Sequence, residues 1–231
     1  MNMASWMVHL RIADKLLDAL PGLSPVDFIM GSLAPDSGVP NDNWTVFTPN
    51  TRVSHFKNEA SSHTNKVYIP DFVTKYFTPE MRKRYSREQD SFFLGYLTHL
   101  MTDCLWVDEI YDTSLARFSA EYASDKKAFI DRMKEDWYDQ DFKYLRDHPG
   151  FRAFRVYLGA VGYVNTMMEE FSPDAFDNRR QYITSFYLEE NNHLDRKYPY
   201  LSQEQMDSFV EQAVKDILST LPQYTSPCSV L

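Results

Sequence analysis

Glycine is scarce in this sequence, with only 7 among 231 residues. So few glycines argue against a glycine-built phosphate loop and against a turn-rich β architecture, since both depend on positive-φ positions. Cysteine is scarcer still. Cys104 and Cys228 lie far apart, with no C-x-x-C spacing and no disulfide framework. Cys104 falls inside an apolar run and reads as a small core residue. An excess of basic charge is also missing. The formal net charge is −9 and the pI near 5.1, which argues against long nucleic acid held by general electrostatics. A small phosphodiester stays open, because divalent cations invert the local field where they bind.

No uncharged stretch approaches the ~20 residues that would span a bilayer. The opening MNMASWMVHLRIADKLLDAL is amphipathic and carries His9, Arg11, Asp14 and Lys15. It has neither the basic start, nor the unbroken apolar run, nor the small-residue cleavage site of a secretory leader, so a cytoplasmic location is expected.

What is present in quantity is apolar surface: 43% hydrophobic and 15% aromatic residues, enough to bury a substantial core. One domain over residues 1–221 is expected, with a tail over 222–231. The helical period dominates. Residues 5–20 place Trp6, His9, Leu10, Ala13, Leu16, Leu17 and Leu20 on one broad face that Pro21-Gly22 ends. Ser24-Pro25 opens a short helix through Phe28, Ile29 and Met30, which Gly31 is expected to break. Residues 37–65 show little periodicity and predict a long loop. Loops of that length in compact domains are usually functional or disordered, and this one holds His55 and His63. Helices follow over about 67–77, 87–118, 125–146, 150–171, 174–195 and 202–220, with Pro149, Pro173 and Pro199 in the breaks. No alternating strand pattern or internal repeat is visible. The expected fold class is all-α, a single-domain multi-helix bundle.

The strongest element contains SFFLGYLTHLMTDCLWVDEIYD, Ser91 to Asp112. At about 100° per residue, His99 and Asp103 fall within roughly 40° of each other on the helix surface. They share that face with Phe92, Tyr96, Trp106 and Ile110, so an imidazole and a carboxylate point inward together. A buried carboxylate is costly unless it is paired or binds a metal. An i, i+4 His/Asp pair serves either purpose: an internal hydrogen bond, or two ligands to one cation. His9 on the first helix, Asp36 in GSLAPDS and His55 in the long loop each have an ordinary alternative as a core histidine, a turn aspartate and a solvated histidine. Together the five supply the ligand set expected of a carboxylate-bridged zinc pair.

The order of these residues resembles the zinc-dependent phospholipase C family, distantly related to the single-strand-specific zinc nucleases. His9 comes in the first helix, then G-S-L-A-P-D ending at Asp36, Ser54-His55-Phe56, and L-G-Y-L-T-H-L-M-T-D ending at Asp103. The resemblance runs over roughly residues 5–112, and G-Y-L-x-H-x-x-x-D is its most specific string. It implies an all-helical bundle with zinc, two or more divalent ions, and a phosphodiester cleaved by a metal-activated water. Carried over, His55, His99 and Asp103 hold one metal. Asp36 bridges it to a second that His9 also holds, and helps orient or deprotonate the attacking water.

The sequence also departs from the family. Its secreted members bind a metal through a tryptophan at the processed N-terminus, whereas Trp6 is internal here. Their remaining metal uses a histidine about ten residues after the H-x-x-x-D histidine and then an H-x-x-x-E pair. Glu109 stands at the first place, and H-x-x-x-E is missing. Glu109 lies roughly 80° from the His99 direction, at the flank of the stripe. Glu189 and His193, in L-E-E-N-N-H, are the candidates to complete a metal site. His148 reads as a helix terminus and His63 as surface.

The expected substrate is a small-molecule or lipid-derived phosphodiester. Trp44, Phe47, Phe56 and the tyrosines of 182–200 would suit an apolar substrate part and suit core packing equally. Two alternatives stand beside this reading: a nuclease or nucleotidase with the same metal chemistry, and a non-enzymatic helical protein that keeps a partial metal site.

Overall fold

The computed structural model describes residues 3–43 and 45–225. Trp44, Cys228 and residues 226–231 of the expected tail lie outside the described residues. The fold is all-α. In chain order the helices are α1 (Trp6–Ala19), α2 (Pro25–Leu33), α3 (Thr51–Ser54), α4 (Ile69–Tyr76), α5 (Pro79–Arg82) and α6 (Arg87–Trp106). They continue with α7 (Asp112–Arg117), α8 (Ser119–Ser124), α9 (Lys126–Asp147), α10 (Arg152–Gly159), α11 (Ala175–Leu188), α12 (Gln203–Thr220) and α13 (Pro222–Thr225). A 3-10 turn, Ala34–Asp36, closes α2, and a π-helical stretch, Val107–Tyr111, joins α6 to α7. The long loop holds two antiparallel strands, β1 (Val39–Pro40) and β2 (Phe47–Thr48), with Val39 opposite Thr48. Among the described residues, no helix is long and apolar enough to cross a membrane.

The bundle is organised around α2 and α6, whose contact is the most extensive, with α1 against α2, α10 and α12. The expected break at Gly31 does not occur, because α2 runs through it to Leu33. Gly31 serves a close approach instead. A Cβ there would stand 2.1 Å from the Phe92 carbonyl oxygen of α6. The relationship is mutual: a Cβ on Gly95 of α6 would stand 2.2 Å from the Phe28 carbonyl oxygen of α2. Hydrogen is the only side chain that either backbone tolerates at this crossing.

Side-chain caps set other helix starts. Ser5 accepts from the Val8 N–H at the head of α1. Ser86 and Gln89 form a reciprocal capping box at the head of α6. Two expected helices end early, for a common reason. The one expected over 150–171 stops at Gly159, and a loop follows in which Asn165 substitutes for helical bonding. Its amide donates to the Met168 and Phe171 carbonyls, while its oxygen accepts from the Met167 and Met168 N–H groups. The one expected over 174–195 stops at Leu188. Beyond it, Asp136 of α9 accepts from Arg196 and from the Tyr200 backbone, and Asp139 accepts from Arg196 and Asn191. These tertiary polar contacts override the local helical period.

Candidate metal centre

His99 and Asp103 lie one turn apart on α6, His9 faces them from α1, Asp36 ends the turn after α2, and His55 caps the C-terminus of α3. All five converge. Four of them are essentially buried, at 2% exposure for His9, 0% for His55, 1% for His99 and 0% for Asp103. The Asp36 side chain keeps 10% of its surface exposed.

The ligating atoms form a compact set. His99 Nε2 is 3.3 Å from His55 Nε2 and 3.3 Å from Asp103 Oδ2. His55 Nε2 is 3.6 Å from Asp103 Oδ2 and 3.4 Å from Asp36 Oδ1. Tetrahedral ligands held by bonds of about 2.0–2.1 Å sit about 3.3–3.4 Å from one another, so the His55–His99–Asp103 triangle has the dimensions of three zinc ligands. Asp36, His55 and His99 offer atoms all within 4.8 Å of one another, and so do His9, His99 and Asp103. Asp103 turns its two oxygens to different histidines: Oδ2 faces His55 and His99, and Oδ1 lies 3.4 Å from His9 Nε2. His99 belongs to both groups.

Hydrogen bonding tests whether a cation fits this set. His99 Nδ1 lies 2.8 Å from the Ser32 carbonyl oxygen. A carbonyl only accepts, so in the neutral ring Nδ1 carries the proton and Nε2 presents its lone pair to Asp103 and His55. His9 Nδ1, His9 Nε2 and Asp103 Oδ2 are buried with no hydrogen-bond partner. Buried polar atoms are rarely left so. A proton on His99 would serve one contact to Asp103, whereas bound divalent cations would serve both His9 Nε2 and Asp103 Oδ2. The donor set fits a metal.

Electrostatics points the same way. Burial opposes charge on Asp103, yet His99 and His9 hold its carboxyl well below the usual carboxylate range. Asp36 is also lowered, with burial outweighed by His55 and His99. Burial together with the neighbouring His99 depresses His9. His99 is raised, because the Asp103 and Asp36 carboxylates overcome its burial. Both carboxylates are thus held ionised, as ligands must be.

Several groups orient the ligands. The Ala4 backbone N–H donates to Asp103 Oδ1 at 3.1 Å, and the Asn65 amide donates to the Asp103 carbonyl at 2.9 Å. Ser54 Oγ meets His55 Nδ1 at 2.9 Å, and the Tyr96 hydroxyl donates to the Ser54 carbonyl. Phe56, next to His55, adopts φ +50°, a costly conformation for an aromatic residue. Its ring is anchored edge-on against Phe72 and Tyr96. Sequence reasoning missed Ser32 and Ala4 because they act through backbone atoms, which carry no side-chain signal. Asn65 lies in the long loop two residues after His63, and an amide carries no metal-ligand signal.

Three sequence candidates are not brought to this cluster. Glu109 is exposed on the π-helical stretch, lines a surface groove with Glu204 and Gln212, and is raised by burial, Asp216 and Asp108. Glu189 and His193 are exposed beyond the end of α11. Among the described residues, none of the three joins a group of closely spaced ligating side chains. His63 pairs with Asp108, and His148 with the Tyr144 carbonyl.

A cleft of about 160 Å³ opens beside Asp36. Trp6, Phe47, Trp137, Tyr138 and Tyr182 line it, together with Lys134 and Arg179. Phe47 and Tyr182 line this cleft, while Phe56 packs against the core.

Residues 8–106 match the family model of zinc-dependent phospholipase C. The match is under half of the chain, yet it contains His9, Asp36, His55, His99 and Asp103. No curated protein and no solved structure matches the chain.

Proposed function

We propose that the protein is a zinc-dependent hydrolase that cleaves a phosphodiester in the manner of a phospholipase C. The observation that carries this reading is the buried His55–His99–Asp103 triangle with sides of 3.3–3.6 Å. His55, His99, Asp103 and Asp36 would hold one cation, and His9 would help to hold a second. Bound there, divalent ions supply Lewis acidity at the phosphoryl oxygens and make a water acidic enough to attack at neutral pH. Asp36, next to the cleft, would orient that water and accept its proton. The Ser32 carbonyl fixes the His99 tautomer so that Nε2 stays available. The aromatic wall shields the site from bulk water and packs against the apolar part of a small or lipid-derived substrate.

The same reading treats residues 1–221 as one domain, consistent with a core running from Ala4 to Leu221. It also places the chain in a reducing compartment, in keeping with a buried, free Cys104.

Metal analysis of the purified protein combined with hydrolysis of bis(p-nitrophenyl) phosphate tests the proposal. The expected result is bound zinc, turnover that chelation abolishes, and loss of both in His99→Ala. A protein that holds no metal, with stability unchanged by added zinc, would overturn it.

A further inference from the structure

Three arginines are buried in the described residues: Arg11, Arg179 and Arg180. Arg11 pairs with Asp207 at 2.5 Å, and Arg180 with Asp177 at 2.7 Å. Arg179, at 7% exposure, has no carboxylate within 4.0 Å among the described residues. Its guanidinium donates to the Gly38 carbonyl at 2.7 Å and faces the rings of Phe47 and Tyr182, 6.0 and 5.4 Å from their centroids. These contacts hold its plane without neutralising it. A buried charge without a counter-ion is costly, and the cost is recovered when an anion arrives. Arg179 lines the cleft beside Asp36.

A second cation shares that cleft. Lys134 of α9 is half-buried and makes no ion pair within 4.0 Å among the described residues. Among the described residues, Asp36 is the only carboxylate in the lining, and the centre itself would use it. The walls away from the centre are therefore aromatic and cationic. A quaternary ammonium headgroup would meet two like charges and no free carboxylate there.

We propose that Arg179 and Lys134 bind a second negative charge on the substrate, so that the phosphodiester taken bears an anionic group beside an apolar one. This rests on the hydrolase reading for the reaction, though not for the binding. Arg179 acts as the fixed, bidentate partner of a phosphate-like group, and Lys134 as the mobile one. Both residues lie outside the segment that matches the family model.

The test pairs binding with turnover. Calorimetric titration of the protein as purified compares phenyl phosphate with phosphocholine. Phenyl phosphate binds the tighter of the two, and Arg179→Gln weakens it roughly ten- to hundredfold, while Arg179→Lys recovers part of the loss. Lys134→Gln, at a half-buried position, weakens it about threefold to tenfold. Circular dichroism checks that each variant is folded. Turnover uses two substrate pairs: a p-nitrophenyl thymidylate with and without a second phosphate on the sugar, and short-chain phosphatidylinositol with and without a phosphate on its ring. A preference for the charged member in the first pair assigns a nucleotide source, and in the second a lipid headgroup. Equal use within both pairs, or phenyl phosphate binding that neither variant changes, overturns the inference and leaves the hydrolase reading standing. Arg179-dependent binding in a protein that holds no metal and hydrolyses nothing overturns the hydrolase reading and keeps this one.

Discussion

The imidazoles of His9 and His99 lie stacked, with centroids 3.7 Å apart and planes 7° from parallel. Two buried rings this close cannot both carry a proton without a strong penalty. Burial and the stacked His99 depress His9, while Asp103 and Asp36 keep His99 raised against its burial. A metal held by this cluster would let both rings stay neutral and use their lone pairs. The centre should therefore be far more stable with metal than without.

Thermal unfolding measures that difference. Zinc at about a hundred times its dissociation constant contributes about 2.7 kcal/mol, which for a chain of this size raises Tm by roughly 5–10 °C. Chelated protein shows the lower value, and zinc does not raise the Tm of His99→Ala. A zinc-independent Tm in the parent protein would contradict the donor set described above.

Asp36 separates binding from chemistry. Asp36→Asn keeps the His55–His99–Asp103 triangle, so zinc content falls only in part. Turnover drops by roughly 10²–10⁴-fold if the carboxylate takes the proton of the attacking water. Steady-state kinetics beside metal analysis distinguishes the two effects, and full turnover in the variant would remove Asp36 from the reaction.

The crossing of α2 and α6 tolerates no methyl group. Gly95→Ala forces a Cβ into the space 2.2 Å from the Phe28 carbonyl oxygen, and the helices must part. A loss of about 3 kcal/mol or more is expected in urea unfolding, with weaker zinc binding because His99 is four residues along the same helix. Unchanged stability would show that the contact is softer than its geometry.

Asp141 gives the protein a pH dependence away from the metal centre. Burial pushes its carboxyl up to about 7, although Tyr187, Ser5 and Arg11 pull the other way. The folded state then holds a proton that the unfolded chain releases near pH 4. This group's contribution is fully present below about pH 4, is lost as pH rises towards 7, and is flat above that. The span is on the order of 4 kcal/mol at most. Asp141→Asn should flatten that part of the stability profile, which urea titrations at several pH values would reveal.

Much of this was legible in the residues. The stripe on α6 gave His99 and Asp103 a common inward direction, and motif order brought in His9, Asp36 and His55. The helical period already set Glu109 at the flank of the stripe, whereas no spacing could tell that Glu189 and His193 would lie past an early end of α11. The short extents of α10 and α11 were hidden because Asn165 and the Asp136–Arg196–Asp139 cluster are tertiary devices. Arg179 and Lys134 sit among charges of both signs on their helices, so nothing local distinguishes a lining cation from a solvated one. Gly31 looked like a helix breaker because its partner, Gly95, is distant in sequence.

That glycine pair also acts as a gauge block. Ser32 and His99, which share the hydrogen bond that fixes the ligand tautomer, each lie within four residues of it. Main chain rests on main chain there, so no rotamer can relax to change the spacing between the two helices. The bite of the centre is referenced to covalent geometry rather than to adjustable packing. Ions of zinc-like radius should therefore exchange freely, while larger ones such as calcium should be refused at the cost of bending two helices at once.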